Sequence, residues 1–296
     1  MAETKAKKEK KKWSKGKKAV VIILCILLFL IIVALIGGVC YLNYYCETKE
    51  YDIVSLSDYT DEDVTLIAHR GFSAVAPENT VPAFEEAGEA DFDAAECDIY
   101  RTTDGTWVVS HDIHTYRMMD ENAFIEKITY GELMTYTYDN GSNIENYENL
   151  KVCTLSEYLE VCDEYDMTPV IELKGTNNTE YYYEVVEAVE AAGLEDEVVY
   201  ISFHIENLQL MREQSDATLY YLTYTIEQED IDAALALGGS CGIDFDASKD
   251  GNTQEVIQNC MDQGLLMGAW TVDDPDKAVE LISWGVTLLT TNALTH

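Results

Sequence analysis

Eight short runs rich in β-branched and aromatic residues constrain this chain most, because a segment of helical period fits between most neighbouring pairs. The runs fall at 65–68, 95–99, 169–173, 198–202, 218–222, 242–245, 266–270 and 287–290, and the helical segments at 180–192, 205–214, 228–237, 253–263 and 276–284. Strands alternating with helices form parallel sheets, and eight such units predict an α/β fold, a closed (β/α)8 TIM barrel, over residues 64–296. A doubly wound open sheet is the alternative. Residues 101–166 break the alternation with a hairpin signal at Asp104-Gly105, a short strand at 107–110, a polar loop-rich stretch and a helix from about Ser156. They predict a small insertion after the second strand that covers the barrel mouth. The sequence ends at His296, six residues beyond the last run, so no eighth helix is expected there. The segment before the barrel is a candidate cover for that side.

The N-terminal part has a different composition. Residues 1–18 carry nine lysines against Glu3 and Glu9, and residues 19–42 then run without a charge. About 20 apolar residues at 1.5 Å rise each cover a bilayer core, so 19–42 predicts one transmembrane helix. A cleaved signal peptide has a shorter apolar region ending in a small-x-small site, and Gly37, Gly38 and Val39 before Cys40 make a poor lipidation box. The lysines predict a cytoplasmic basic tail by the positive-inside rule, with a polar stalk at 43–63 and the barrel outside the cell membrane. Beyond the tail the chain holds 10 basic against 53 acidic residues, a formal charge of about −43. That balance excludes nucleic acid as a partner, since phosphate backbones need a basic footprint. The six cysteines beyond residue 42 are scattered singly and define no pairing.

In such barrels chemistry sits at the C-terminal ends of the strands. The first run ends in His69-Arg70-Gly71, with the glycine available for a sharp turn beneath a ligand. The second contains Glu96 and Asp98, two residues apart and therefore on one face. Glu172 ends the third run, with Lys174 two residues further on, and the insertion strand ends in His111. Carboxylates gathered on one face repel each other unless a cation lies between them. Glu96, Asp98 and Glu172 together suit a hard divalent ion, Ca²⁺ or Mg²⁺. Two imidazoles, three acids, an arginine and a lysine suit phosphodiester cleavage. The phosphate charge must be offset and the leaving alcohol protonated. Glu78 is placed to hydrogen-bond into this cluster, Asn79 and Thr80 read as N-cap residues, and Trp270 or Phe203 could wall a substrate pocket. The run Tyr181 to Tyr183 reads as straddling a helix face rather than forming a cation-binding cage.

The blocks "HRGFSAVAPENTVPAF", "ECDIYRTTDGTWVVSHD", "IELK" and "AWTV" closely resemble the glycerophosphodiester phosphodiesterase family, from about Leu66 to Asn292. The resemblance implies a TIM barrel that hydrolyses a small glycerophosphodiester to glycerol 3-phosphate and an alcohol. By matching position it implies His69 and His111 as the acid/base pair and Glu96, Asp98 and Glu172 as metal ligands. Arg70 and Lys174 would bind phosphate. It leaves open whether a glycerol hydroxyl attacks first, giving a cyclic phosphate that water opens. The chain departs from the family pattern at "IHTYRMM" after His111-Asp112, at His204 after "SF" and at Asn292 in "TTN". These bear on substrate preference and on how the last loop is pinned. Two other functions fit a barrel of this kind, a non-catalytic binding module and a phosphoinositide-cleaving lyase. Retention of all five catalytic-type residues weighs against the first, and the carboxylate trio against the second. The acidic outer domain further predicts a preference for zwitterionic diesters over polyanionic polymers.

Overall fold

The computed structural model describes residues 15–296, with backbone alone at residues 15, 16, 18–22, 39, 42 and 43. The expected basic tail at 1–18 lies outside the described residues except for its last four. The chain divides into two compact units, with the boundary between Glu47 and Thr48. In the first unit a single helix of 31 residues spans Lys15–Tyr45. Among the described residues no helix is long and apolar enough to cross a membrane, and the expected span 19–42 is only partly described.

The second unit is built on eight strands, labelled here β1 (Thr65–Ala68), β2 (Ala94–Arg101), β3 (Thr168–Leu173), β4 (Val199–Ser202), β5 (Thr218–Thr223), β6 (Cys241–Asp246), β7 (Leu266–Trp270) and β8 (Leu288–Thr291). Each pairs in parallel with the next, and β8 pairs with β1, so the sheet closes into a barrel. All eight expected runs are strands. The outer ring comprises α1 (Val81–Glu89), α2 (Leu155–Tyr165), α3 (Tyr182–Ala192), α4 (Ile205–Arg212), α5 (Gln228–Leu237), α6 (Gln254–Asp262) and α7 (Pro275–Ser283). Local chemistry sets several of these boundaries. The Thr80 side chain accepts the Ala83 N–H at the start of α1, with Pro82 in the first turn where its missing N–H costs nothing. Thr154 and Glu157 form a reciprocal capping box at α2.

Strand alternation makes two cores. Residues such as Cys97, Ile171, Ile243 and Phe245 face the helices. Ile67, Ala94, Val170, Ile201, Tyr220 and Leu222 fill the barrel interior, with Phe203 and Trp270 packed above them. The insertion has its own small core of Tyr100, Val108, Met118, Met119, Ile125, Leu133, Tyr138 and Val152. Its strand Trp107–Val109 pairs antiparallel with the end of β2. It is shorter than the expected 101–166, because α2 joins the helical ring with Tyr158 and Leu159 buried in the outer core.

The expected stalk at 43–63 also needs correction. From Thr48 onward these residues belong to the barrel unit. Val54–Ser55 pairs in parallel with Leu294–Thr295, and Leu56 is buried in the outer core. Tyr51 lies near enough to Asp273, Glu78 and Arg70 for their charges to act on it. Burial, then the two acids, push its phenol up to about 12.

Candidate active site

The turn after β1 shows why the first strand ends in His-Arg-Gly. Arg70 takes a left-handed conformation, φ 59°, which directs its N–H to Glu96 Oε2 at 2.9 Å. Gly71 follows at φ 75°, in the expected turn. A Cβ there would lie 2.6 Å from the Ala83 carbonyl carbon, so the glycine admits the backbone of α1.

Two interior positions of β2 and one of β3 bring Glu96, Asp98 and Glu172 together. Each offers a carboxylate oxygen within 4.8 Å of the others, and all three residues are buried. Burial and the neighbouring acids raise Glu96 above the ordinary carboxylate range, and burial pushes Glu172 up to about 7 against the pull of Lys174. Asp98 is the reverse case. Burial opposes its charge, but Lys174, His111, Arg70 and a hydrogen bond from Asn79 outweigh it and hold the group well below the usual range. Lys174 Nζ lies 2.9 Å from Glu172 Oε1 and 3.2 Å from Asp98 Oδ1. The Asp98 Oδ1 atom has no geometrically sound hydrogen bond, and the donor set is entirely oxygen. Both facts fit a hard divalent cation.

The two histidines flank the acids, and hydrogen bonding sets their tautomers. Asn292 gives its amide N–H₂ to Asp273 Oδ2 at 2.8 Å, so its Oδ1 is the atom 2.8 Å from His69 Nδ1. Ser73 Oγ also donates to that oxygen at 2.9 Å. An acceptor-only oxygen requires Nδ1–H on His69 and leaves Nε2 unprotonated. Burial first, and then Arg70, lower the His69 pKa to about 3. His111 Nδ1 lies 3.0 Å from Asp112 Oδ1, which likewise leaves Nε2 as the other functional nitrogen.

A charged network ties these parts together. Arg117 donates from Nε to Asp112 at 2.7 Å and from Nη2 to Glu78 Oε1 at 2.6 Å, while Arg70 Nη1 donates to the same Glu78 oxygen at 2.9 Å. Burial opposes the Glu78 charge, and Arg70 and Arg117 outweigh it, holding the carboxyl far below the usual range. Glu78, expected to hydrogen-bond into the cluster and to take part in substrate binding, does the first through two guanidiniums.

His69, Arg70, Glu96, His111, Glu172 and Trp270 line one cavity of about 170 Å³, together with Phe203, Tyr224 and Asp244. Asp98, Lys174 and Glu78 stand behind that lining. Sequence reasoning passed over Asp112, Arg117, Asp273 and Asp244. It also treated Asn79 as a cap, yet Asn79 donates to Asp98 Oδ2 at 2.8 Å from a buried position, and Thr80 alone caps the helix. The sequence signals were an acid beside His111, an arginine six residues beyond it, and an acid on a core strand. Of the tyrosine run, Tyr182 is buried, Tyr183 is exposed, and Tyr181 carries the Arg101 guanidinium 3.7 Å from its ring centre. No cage forms there.

Comparison with known proteins agrees with this geometry. Residues 69–296 match the Glycerophosphoryl diester phosphodiesterase family. A glycerophosphodiester phosphodiesterase of Caldanaerobacter subterraneus is 26% identical over 75% of this chain and 90% of its own length, and one of Bacillus altitudinis is 28% identical over 75% and 91%. An Oleispira antarctica phosphodiesterase, solved in complex with the product sn-glycerol-3-phosphate, superposes with a TM-score of 0.70 at 25% identity, covering 81% of this chain and 96% of that one. A barrel closed around an acid trio and two histidines, and a family match spanning nearly all of it, lead to one conclusion: the chain belongs to the glycerophosphodiester phosphodiesterase family.

Proposed function

We propose that this enzyme hydrolyses small glycerophosphodiesters to glycerol 3-phosphate and an alcohol, using a divalent cation held by Glu96, Asp98 and Glu172 and acid/base catalysis by His69 and His111. The observation that carries the reading is the meeting, around one small cavity, of a buried oxygen-only ligand set with two imidazoles whose tautomers are preset. When bound, such a cation polarises a phosphoryl oxygen and offsets the negative charge that repels a nucleophile. Arg70 and Lys174 add positive charge beside the ligand set.

The histidines divide by environment. His69 is held neutral, with Nε2 free to accept a proton from the attacking hydroxyl or water. His111 is a third exposed at its side chain and stands on the insertion, with Asp112 fixing its ring, so it takes the role of donor to the departing alcohol. The Oleispira relative's product complex supports glycerol 3-phosphate as the retained product.

The reading extends to location. A charge-free run of 24 residues at 19–42 and a lysine-rich segment before it support a single-pass anchor with the barrel outside the cell membrane. The deciding experiment incubates the detergent-solubilised full chain with glycerophosphocholine and Ca²⁺ or Mg²⁺ and analyses the products. Glycerol 3-phosphate and choline are expected. Release of phosphocholine, no turnover, or a cyclic inositol phosphate from phosphatidylinositol alone would defeat the reading. Protease added outside intact cells should remove the barrel, and its protection would defeat the topology.

A further inference from the structure

Residues 48–55 precede the family-matched region, which begins at residue 69, yet both of their ends lead to the loop that carries Asn292. Val54 N–H donates to the Ala293 carbonyl at 3.1 Å, and Ser55 Oγ donates to the His296 carbonyl at 2.8 Å. At the other end Thr48 Oγ1 donates to Asn140 Oδ1 of the insertion at 2.7 Å. Two residues further on, Ser142 Oγ donates to the Ser73 carbonyl at 2.6 Å, and Ser73 Oγ donates to Asn292 Oδ1 at 2.9 Å. These contacts close a ring through the segment, the insertion, Ser73, Asn292 and Ala293. Asn292 is 7% exposed, and its Oδ1 is the acceptor that keeps the proton of His69 on Nδ1. Residues 48–53 have no helix or strand of their own, so contacts of this kind hold them in place.

Tyr51 stands midway along this segment and is half-buried, within range of Asp273, Glu78 and Arg70. Asp273 is the base of the His69 support. It accepts the Asn292 backbone N–H at 2.7 Å, the Asn292 Nδ2 at 2.8 Å and the Thr291 Oγ1 at 3.1 Å. Those bonds decide which way the Asn292 amide points, and with it which nitrogen of His69 carries the proton. Asp273 is itself only half-buried, so water competes for its oxygens. A neutral ring nearby excludes water without adding charge, and hydrogen bonds to a carboxylate strengthen as the local dielectric falls. The Tyr51 phenol does stay neutral, since burial and then the two acids hold its proton.

We propose that residues 48–55 form a strap that positions His69, with Tyr51 as the positioning residue that shields Asp273 and so keeps the Asn292 amide oxygen turned toward the imidazole. Tyr51 is not among the residues that line the cavity, so its effect passes through Asp273 and Asn292. The consequence is that turnover depends on a segment that lies ahead of the first barrel strand. This rests on the acid/base reading of His69, and the test separates the two.

The substitutions, made in the full chain, are Tyr51→Ala, which removes the ring, Tyr51→Phe, which keeps it, and Asp273→Ala, which removes the acceptor beneath Asn292. On glycerophosphocholine, Tyr51→Ala should lower kcat about tenfold and change KM less than about twofold, the pattern of a lost orienting contact. Tyr51→Phe should keep at least about half of kcat. In the Asp273→Ala background, Tyr51→Ala should cost less than about twofold more, because the path to His69 is already broken. A normal kcat in Tyr51→Ala, a loss carried by KM, a Tyr51→Phe rate as low as that of Tyr51→Ala, or fully additive losses would overturn the assignment. A lowered Tm with normal kcat would likewise reduce Tyr51 to packing. Histidine 15N spectra of the unliganded protein give an arm independent of turnover. His69 should show a single tautomer, protonated on Nδ1, in the wild type and in Tyr51→Phe, and a mixture of tautomers in Tyr51→Ala. An unchanged single tautomer in Tyr51→Ala would overturn the assignment whatever the rate. Should the wild type leave the diester intact, the failure is that of the phosphodiesterase reading, and the spectra still decide on Tyr51.

Discussion

The two halves of the barrel mouth are built on opposite principles. On the β1–β3 side every acid meets a cation or a donor. Glu78 sits between Arg70 and Arg117, Asp112 between Arg117 and His111, and Asp98 among Lys174, Arg70 and Asn79. On the β4–β7 side three rings stand against each other, and of the two buried acids of β6 Asp246 meets Lys249 while Asp244 has an oxygen without a partner among the described residues. Desolvated charge is tolerable where it is paired and has to be explained where it is not. The contrast teaches a division of labour, with the charged half suited to the phosphate and the aromatic half to an organic substituent.

The sharpest way to break that division is to deprive the acid trio of the cation proposed for it. Chelation, or Glu172→Gln with Asp98→Asn, should lower kcat by on the order of 10³ or more, the equivalent of several kcal/mol of lost charge stabilisation. Chelation should also lower the Tm, with Ca²⁺ or Mg²⁺ restoring both, so full activity in excess chelator would remove the metal from the scheme. Next in size, His69→Ala and His111→Ala should each cost at least about 10² in kcat with circular dichroism unchanged. A near-normal rate in either variant would make that ring structural.

Arg117→Ala probes the network rather than the chemistry, because the guanidinium touches Asp112 and Glu78 and lines no part of the cavity. Its kcat should fall about tenfold with little change in KM, and Asp112→Asn should match it, since both release the His111 ring. Additive losses in the double variant would show that the two act separately.

On the aromatic side the expected effects are smaller. Burial, with Glu172 adding to it, pushes the Asp244 pKa up to about 8 from an ordinary 3.8. Tyr220 on β5 is the other titratable group coupled to it, its phenol raised chiefly by burial. The folded state therefore holds the Asp244 proton more tightly than the unfolded chain does. That contribution is complete below about pH 4 and is lost as pH rises through about 8. Asp244→Asn should flatten the fall of Tm between pH 5 and 8, at matched metal, and an identical slope in both proteins would show that the acid ionises freely. The smallest effect comes from the field of an outer chain near −43. Relative kcat/KM for a glycerol-phosphate polymer against glycerophosphocholine should rise a few-fold with salt, as screening shortens the field to about 8 Å at physiological ionic strength. A polymer preferred at low salt would reveal a local basic track that outweighs it.

Much of the fold was legible because it is local. A strand's alternation and a helix's period are written within a dozen residues, and so is the Glu96-x-Asp98 spacing that put two acids on one face. The candidate site was legible wherever a residue ended such a strand, as with His69, Glu172 and Trp270. It was not legible where the partner comes from elsewhere. Arg117 lies in a stretch without periodicity, and nothing near it announces Glu78, 39 residues earlier in the chain. Asp244 looked like part of an ordinary core strand until Gly268 on the next strand was seen to clear a space for it.

The amino-acid sequence by itself determined eight strands, the helices between them, and which side chains reach the mouth, because periodicity and capping act over neighbouring residues. Only the tertiary structure decided which nitrogen of His69 is free, through an asparagine 223 residues away, and that residues from Thr48 onward belong to the barrel unit, with Val54–Ser55 paired to Leu294–Thr295. Those outcomes depend on contacts between distant segments, whose hydrogen bonds and burial become favourable only after the barrel has brought them together.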